Sequence, residues 1–327
     1  MTTTKVIIAI VIAAAAVVAG GLVVARRQTR PKTETTAGTT LPSVKTEQTA
    51  ATGLTGSLVV LSAGGKLERV NLADSSRGEI ITDEKIRIAK VAPGGQQLFT
   101  LSAANASTGN LNLLDPASAK STKLAELSLS GLPPVVSPDG KRYLSASFSN
   151  FEVEFGWHVY LNTVATSEKK EVFATPESLT NVSFSPDGDK IAFAVSRGKG
   201  GSELTAVNLS GGKQEVTYKT EGEILSLGWG GSSIFLIEAP AGKLKANQAE
   251  LYSIAESGKD KKQLTTNQTA ENFVAASADG KLISFLELNY SSGNVTPNTV
   301  GTVTVLDAAS QKTLQLGEAI QVAGFLK

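Results

Sequence analysis

Phe184-Ser185-Pro186-Asp187-Gly188-Asp189-Lys190-Ile191-Ala192-Phe193-Ala194-Val195-Ser196 holds a turn and the strand that leaves it. Proline fixes φ at the second turn position, aspartate accepts hydrogen bonds from backbone N–H groups ahead of it, and glycine tolerates φ > 0. Beyond the turn, Lys190, Ala192 and Ala194 alternate with Ile191, Phe193 and Val195, and Asn181 to Phe184 alternate before it. The tetrapeptide therefore joins two antiparallel strands.

The unit recurs around the chain. Ser137-Pro138-Asp139-Gly140 precedes Lys141 to Phe148, and Ser277-Ala278-Asp279-Gly280 precedes Lys281 to Leu288. Degenerate copies are Ala92-Pro93-Gly94-Gly95 and Gly228-Trp229-Gly230-Gly231. Steps between the last glycines (Gly95, Gly140, Gly188, Gly231, Gly280) are 45, 48, 43 and 49 residues, the period of a four-stranded propeller blade. Third strands fall at Glu203 to Leu209, Glu250 to Ile254 and Thr302 to Leu306, and weaker fourth strands near Glu215 to Tyr218 and Gln263 to Thr265. At the ends, Ala319 to Phe325 reads as a first strand without successors, whereas Ser57 to Ser62 and Leu67 to Leu72 read as second and third strands without a first. Joined, they make a sixth blade and close the ring, which removes open sheet edges. The expected fold over residues 54–327 is all-β, a six-bladed β-propeller of four-stranded blades.

Ahead of it, residues 1–5 form a short tail. Residues 6–25, Val6 to Ala25, carry no charge and have about the length of a bilayer-spanning helix, so a single N-terminal membrane anchor is expected, with a cleaved signal peptide as the rival reading. Residues 26–53 form a Thr-rich linker, with little apolar content and an expectation of disorder. Lys5 precedes the span, while Arg26, Arg27, Arg30 and Lys32 follow it, a bias that would retain the propeller inside. An extreme N-terminal anchor ahead of a folded domain acts as an uncleaved export signal, so the extracytoplasmic side is expected nonetheless.

The repeated F-S-P-D-G-x-x-I-A-F pattern resembles the TolB-like (WD40-like) propeller repeat, whose members are mostly bacterial envelope proteins and the propeller domains of some peptidases. The Gly-His and Trp-Asp signatures of typical WD repeats are missing. The resemblance implies a six-bladed ring and a protein-interaction role, and transfers no site residues. TolB-like periplasmic proteins carry an α/β domain where this chain has its anchor and linker.

Chemistry is sparse. The chain has 327 residues, net charge +1, one histidine and no cysteine. This removes disulfides, thiolate ligands, Cys nucleophiles and His-rich metal clusters, and gives no electrostatic footprint for nucleic acid. His158 lies in an apparent strand between Trp157 and Val159 and reads as a strand residue rather than a general base. No G-x-S-x-G, H-E-x-x-H or phosphate-loop motif occurs. No cofactor or metal is expected. Asp139, Gly140, Asp187, Gly188, Asp279 and Gly280 read as structural turn residues, because calcium-loop spacing is absent.

With four strands per blade, the loops joining second and third strands emerge opposite the Asp-Gly turns, where a rigid scaffold presents binding residues. One of these loops, with the start of the strand after it, concentrates Phe151, Glu152, Glu154, Phe155 and Trp157 in a chain with 6% aromatic residues. Exposed, these residues anchor a partner; packed, they form a hairpin with an apolar face. Neighbouring loops add Arg197, Lys199, Lys243 and Lys245 as a basic rim, or as scattered solvated charge. The functional expectation is a monomeric, membrane-tethered, non-catalytic protein-interaction or scaffolding module. The alternative is a sensor or carrier of a glycan or other small ligand in the central channel, and a hydrolase or lyase is the third reading.

Overall fold

The structure is a computed structural model that describes residues 53–327 except 81, 83, 84, 106, 130, 152–154, 213, 242–247, 268 and 289–298. The expected tail, transmembrane helix and linker, through residue 52, lie outside the described residues. Among the described residues no helix is long and apolar enough to cross a membrane.

The chain opens with β1 (Ser57–Leu61), β2 (Leu67–Asn71) and β3 (Arg77–Ile80). Blade 2 is β4 (Ile86–Val91), β5 (Leu98–Ala103), β6 (Thr108–Leu114) and β7 (Ser121–Ser128). Blade 3 is β8 (Val135–Val136), β9 (Arg142–Ser149), β10 (Gly156–Thr163) and β11 (Lys169–Thr175). Blade 4 is β12 (Ser178–Phe184), β13 (Lys190–Ser196), β14 (Ser202–Asn208) and β15 (Gln214–Thr220). Blade 5 is β16 (Glu223–Gly230), β17 (Ser233–Ala239), β18 (Glu250–Ala255) and β19 (Lys262–Gln263). Blade 6 is β20 (Ala270–Ala276), β21 (Leu282–Leu288), β22 (Gly301–Asp307) and β23 (Thr313–Ala319). The last strand, β24 (Gln321–Leu326), pairs antiparallel with β1, giving the order β24-β1-β2-β3 and completing blade 1 as the repeat count requires.

The first strand of each blade is innermost, and the fourth is outermost and exposed, as in β7, β11 and β15. The alternation in β13 has a different meaning from an inside–outside pattern. Residues Ile191 to Val195 are all buried, because each blade is covered on both faces by its neighbours. Ile191, Phe193 and Val195 pack toward blade 3, where Phe173 stacks on Phe193 at 4.4 Å. Ala192 and Ala194 pack toward blade 5 and leave room for the indole of Trp229. Large side chains on one face meeting small ones on the next is how adjacent layers interdigitate at interior density. The seam between blades 2 and 3 is the thinnest, with Ala92, Phe99, Leu111 and Val136 as its buried core. Pro133 and Pro134 stand where the inner strand of blade 3 would run, and without N–H groups they cut β8 to two residues.

The Asp-Gly turns repeat the same geometry three times. Asp Oδ1 accepts the backbone N–H two residues on, Lys141 at 3.1 Å, Asp189 at 3.0 Å and Lys281 at 3.1 Å. The serine three residues before each glycine adds a contact absent from the sequence reading: its Oγ accepts the N–H of Arg142, Lys190 or Leu282 at 3.0 Å and donates to the Asp carboxylate. Gly140, Gly188 and Gly280 sit at φ of 71°, 79° and 72°, the left-handed region that glycine enters without a Cβ penalty.

Candidate functional site

Two places on the propeller are shaped for binding. The first is the β9–β10 loop, on the face opposite the Asp-Gly turns. Phe148 at the end of β9 forms its floor: Phe155 meets it edge-on at 5.4 Å and Trp157 at 5.7 Å. Phe155, resting on that floor, is 49% exposed and Phe151, earlier in the loop, 73%, and these two, with Val216, are the large exposed hydrophobics among the described residues. Trp157 is half-buried at the start of β10. The loop therefore combines a packed aromatic base with protruding rings. Glu152 and Glu154, between those rings in sequence, lie outside the described residues.

The basic residues separate. Arg197 turns back onto its own blade, its Nη2 2.6 Å from Glu203 Oε2, while Lys219 Nζ lies 2.6 Å from the other oxygen of the same carboxylate. Its guanidinium thus belongs to a surface ion-pair cluster centred on the buried Glu203 carboxylate. Lys199 lies in the 3-10 turn Gly198–Gly200, and Lys243 and Lys245 lie outside the described residues. His158 Nδ1 is 2.7 Å from Glu171 Oε2 on β11, and its ring stacks on Tyr160 at 6.4 Å. Among the described residues no group of three or more His, Asp or Glu side chains is arranged to hold a metal ion.

The second place is the central channel, a cavity of about 350 Å³ lined by all six inner strands. The register of β4, β12, β16, β20 and β24 against their neighbours slips by one residue near the middle or the loop-face end of the strand. Such bulges re-aim side chains at the rim of a closed sheet. Here they point polar groups around the ring at the adjacent inner strand. Asn181 Nδ2 donates to Leu225 O at 3.0 Å and Ser226 Oγ accepts from Val274 N at 3.0 Å, while Thr180 Oγ1 donates within its own blade to Ala194 O at 3.1 Å, with Ile224 O at 3.4 Å beyond it. Gln321 holds both backbone groups of Ala89, donating to its oxygen at 3.0 Å and accepting from its nitrogen at 3.3 Å. Asn181, Ser226 and Gln321 staple blade to blade. The sequence reading missed them because each is an ordinary strand Ser, Asn or Gln whose partner lies one repeat away.

Among the described residues two charged ones line the channel, Arg87 and Lys90, and no acidic one does. Burial lowers the Lys90 pKa below the ordinary lysine value. A signal for Lys90 was present in the repeat: Val135, Ser183, Gly228, Ala275 and Gly324 occupy the same position in blades 3, 4, 5, 6 and 1. At the loop-face end of blade 6, Glu271 is 1% exposed, and burial pushes its pKa up to about 8 against the hydrogen bond from Thr265.

Six four-stranded blades closed by the last strand define a six-bladed β-propeller with an aromatic loop on one face and an electropositive channel. No protein-family model matches the chain, and no curated protein matches it. Among solved structures it is similar to a putative TolB from Agrobacterium tumefaciens, with TM-score 0.62 and 16% identity over 84% of this chain and 93% of that one. It is also similar to TolB from Acinetobacter baumannii, with TM-score 0.59 and 15% identity over 82% of this chain and 66% of that one. A puromycin hydrolase, the S511A mutant complexed with PGG, superposes with TM-score 0.51 and 15% identity over 84% of this chain. This chain spans just under two thirds of the Acinetobacter protein and about half, 54%, of the hydrolase. The shared property is the fold, that of a TolB-like propeller.

Proposed function

We propose that the chain is a non-catalytic binding propeller, tethered to a bacterial membrane with its folded domain outside the cytoplasm, that docks a protein partner through the β9–β10 loop. The observation that carries the reading is the exposure of Phe155, based on Phe148 beside Trp157, and of Phe151 in the same loop. Rigidly based aromatic rings left in water are the usual anchors of protein interfaces. The non-catalytic part is supported by His158, the chain's one imidazole, being engaged by Glu171 and stacked on Tyr160. The placement outside the cytoplasm draws on the uncharged span Val6 to Ala25 and on the repeat's resemblance to an envelope family.

Photo-crosslinking tests the docking loop in cells that make the protein. A benzophenone amino acid at position 151 is expected to give a discrete adduct that weakens with Phe155→Ala, while the same probe at Val216, exposed on β15, gives none. Identical patterns from both positions would remove the loop from consideration. Protease accessibility in intact cells, with any outer barrier opened, tests the placement: protection until lysis would put the propeller in the cytoplasm and vindicate the charge bias of Arg26, Arg27, Arg30 and Lys32.

A further inference from the structure

We propose that the central channel binds a small organic acid, its carboxylate held by Lys90 and its apolar body lying along the hydrophobic channel wall. The inference is independent of the loop-face docking site and uses none of its residues.

Three observations carry it. The first is room. At the position Lys90 occupies on β4, the inner strands of blades 3, 4, 5, 6 and 1 have Val135, Ser183, Gly228, Ala275 and Gly324, so one long side chain enters a ring of shorter ones and space remains beside it. The resulting cavity of about 350 Å³ is at the small end of the range for ligand pockets.

The second is charge. Among the described residues the lining holds Arg87 and Lys90 and no carboxylate. Among the described residues Lys190, Arg197 and Lys261 are paired with carboxylates, whereas Lys90 forms no salt bridge. Its ammonium is enclosed by protein yet reached by water through the channel, and burial alone moves its pKa, downward. An incoming carboxylate supplies the missing partner. Arg87, three residues earlier and exposed toward the loop face, is placed to attract an anion to the mouth.

The third is what the other lining groups are free to do. Thr180, Asn181, Ser226 and Gln321 are engaged with neighbouring strands, Ser183 Oγ donates to Phe184 O at 3.2 Å, and Asn272 Oδ1 accepts the Phe273 N–H at 2.8 Å. A glycan would need several of these groups for its hydroxyls, and a phosphate dianion would need more donors than one enclosed ammonium offers. A monocarboxylate needs one cation for its head, and Val91, Val135, Trp229 and Phe325 for its body. The same head group could arrive on a free acid or on the carboxyl terminus of a peptide.

Isothermal titration calorimetry of the full chain tests this with octanoate, octanol, inorganic phosphate and the dipeptide acid acetyl-Leu-Val. Octanoate is expected to bind saturably, and Lys90→Met to weaken it by about tenfold or more, as loss of a charge-assisted hydrogen bond would. Octanol should bind weakly and equally to both proteins. Lys90→Met loses an unpaired enclosed charge, so it should keep its fold and melt no lower than wild type. Lys90→Gln provides a second folded variant with the same expected loss. Lys90-dependent binding of the dipeptide acid in preference to octanoate supports the carboxylate and identifies a chain terminus as its source. Octanoate binding unchanged in both variants, absent from wild type together with binding of the dipeptide acid, or matched by inorganic phosphate would overturn the proposal.

Discussion

Ser185→Ala should destabilise the propeller more than Asp187→Ala, although the aspartate is the charged residue of the turn. Ser185 is 3% exposed, its Oγ accepts the Lys190 N–H at 3.0 Å, and it donates to Asp187 Oδ1 at 2.5 Å. Alanine there leaves the Lys190 N–H without an acceptor in a part-buried site, a loss of about 1–3 kcal/mol. Asp187 is exposed, and what it loses is replaceable: the Asp189 N–H can turn to water, and Ser185 Oγ has Lys190 O at 3.2 Å as a second acceptor. Its removal should cost about 0.5–1.5 kcal/mol. Both variants should fold, because the Ala92-Pro93-Gly94-Gly95 turn keeps the same backbone bonds, Ala92 N to Gln97 O at 2.9 Å and Gly95 N to Ala92 O at 2.8 Å, with neither side chain. In thermal melts at neutral pH, at about 2 °C per kcal/mol for a domain of this size, Ser185→Ala should melt about 4 °C low and Asp187→Ala about 2 °C low. The Ser185 hydrogen bond, opposed by burial, holds the Asp187 carboxyl below the usual carboxylate value. A depressed folded pKa contributes stability above the unfolded value and loses it as pH falls through the folded one. The deficit of Asp187→Ala should therefore close in acid. Equal or reversed deficits at neutral pH, or a serine variant as stable as wild type, would refute the account of the turn.

Glu271, pushed up to about 8 by burial with the nearby Glu250 adding to it, holds its proton in the folded state across a range where the unfolded chain has released it. Glu271→Gln should match wild type below the ordinary carboxylate range and gain on it progressively up to about pH 8; a pH-independent difference in melting temperature would contradict this. Gln321→Leu should cost about 2 kcal/mol by stranding both backbone groups of Ala89, and should speed hydrogen exchange of the Ala89 amide selectively. Deleting residues 321–327 removes the innermost strand of blade 1 and leaves β1 as an open edge. The truncated chain should be protease-sensitive and lack cooperative melting, whereas a normal transition would show that closure is dispensable.

Architecture was legible because three blades repeat the full turn chemistry; the expected turn Gly228 to Gly231 is displaced, with Gly228 to Gly230 inside β16 and a tight connection at Gly231 and Ser232 in its place. Ser, Pro, Asp and Gly at fixed offsets from alternating strands report local backbone geometry, which depends on few neighbours. Counting the repeats located the closure, since a lone first strand and a lone second–third pair have one way to pair, and β24 lies on β1. Phe151, Phe155 and Trp157 were legible as a cluster, but whether they were buried or exposed was not.

What tertiary structure alone decided concerns relations between blades. Arg197 is one basic loop residue in the sequence, and only the fold brings Glu203 and Lys219 to it. Asn181, Ser226 and Gln321 acquire their role from a carbonyl or amide one blade away, and the ring sets Lys90 in a channel with no carboxylate among its described lining residues. Composition and periodicity specify which strands form and in what order. Burial, pairing and pKa depend on which atoms meet once the ring has closed, and those contacts join residues too far apart along the chain for local pattern to encode them.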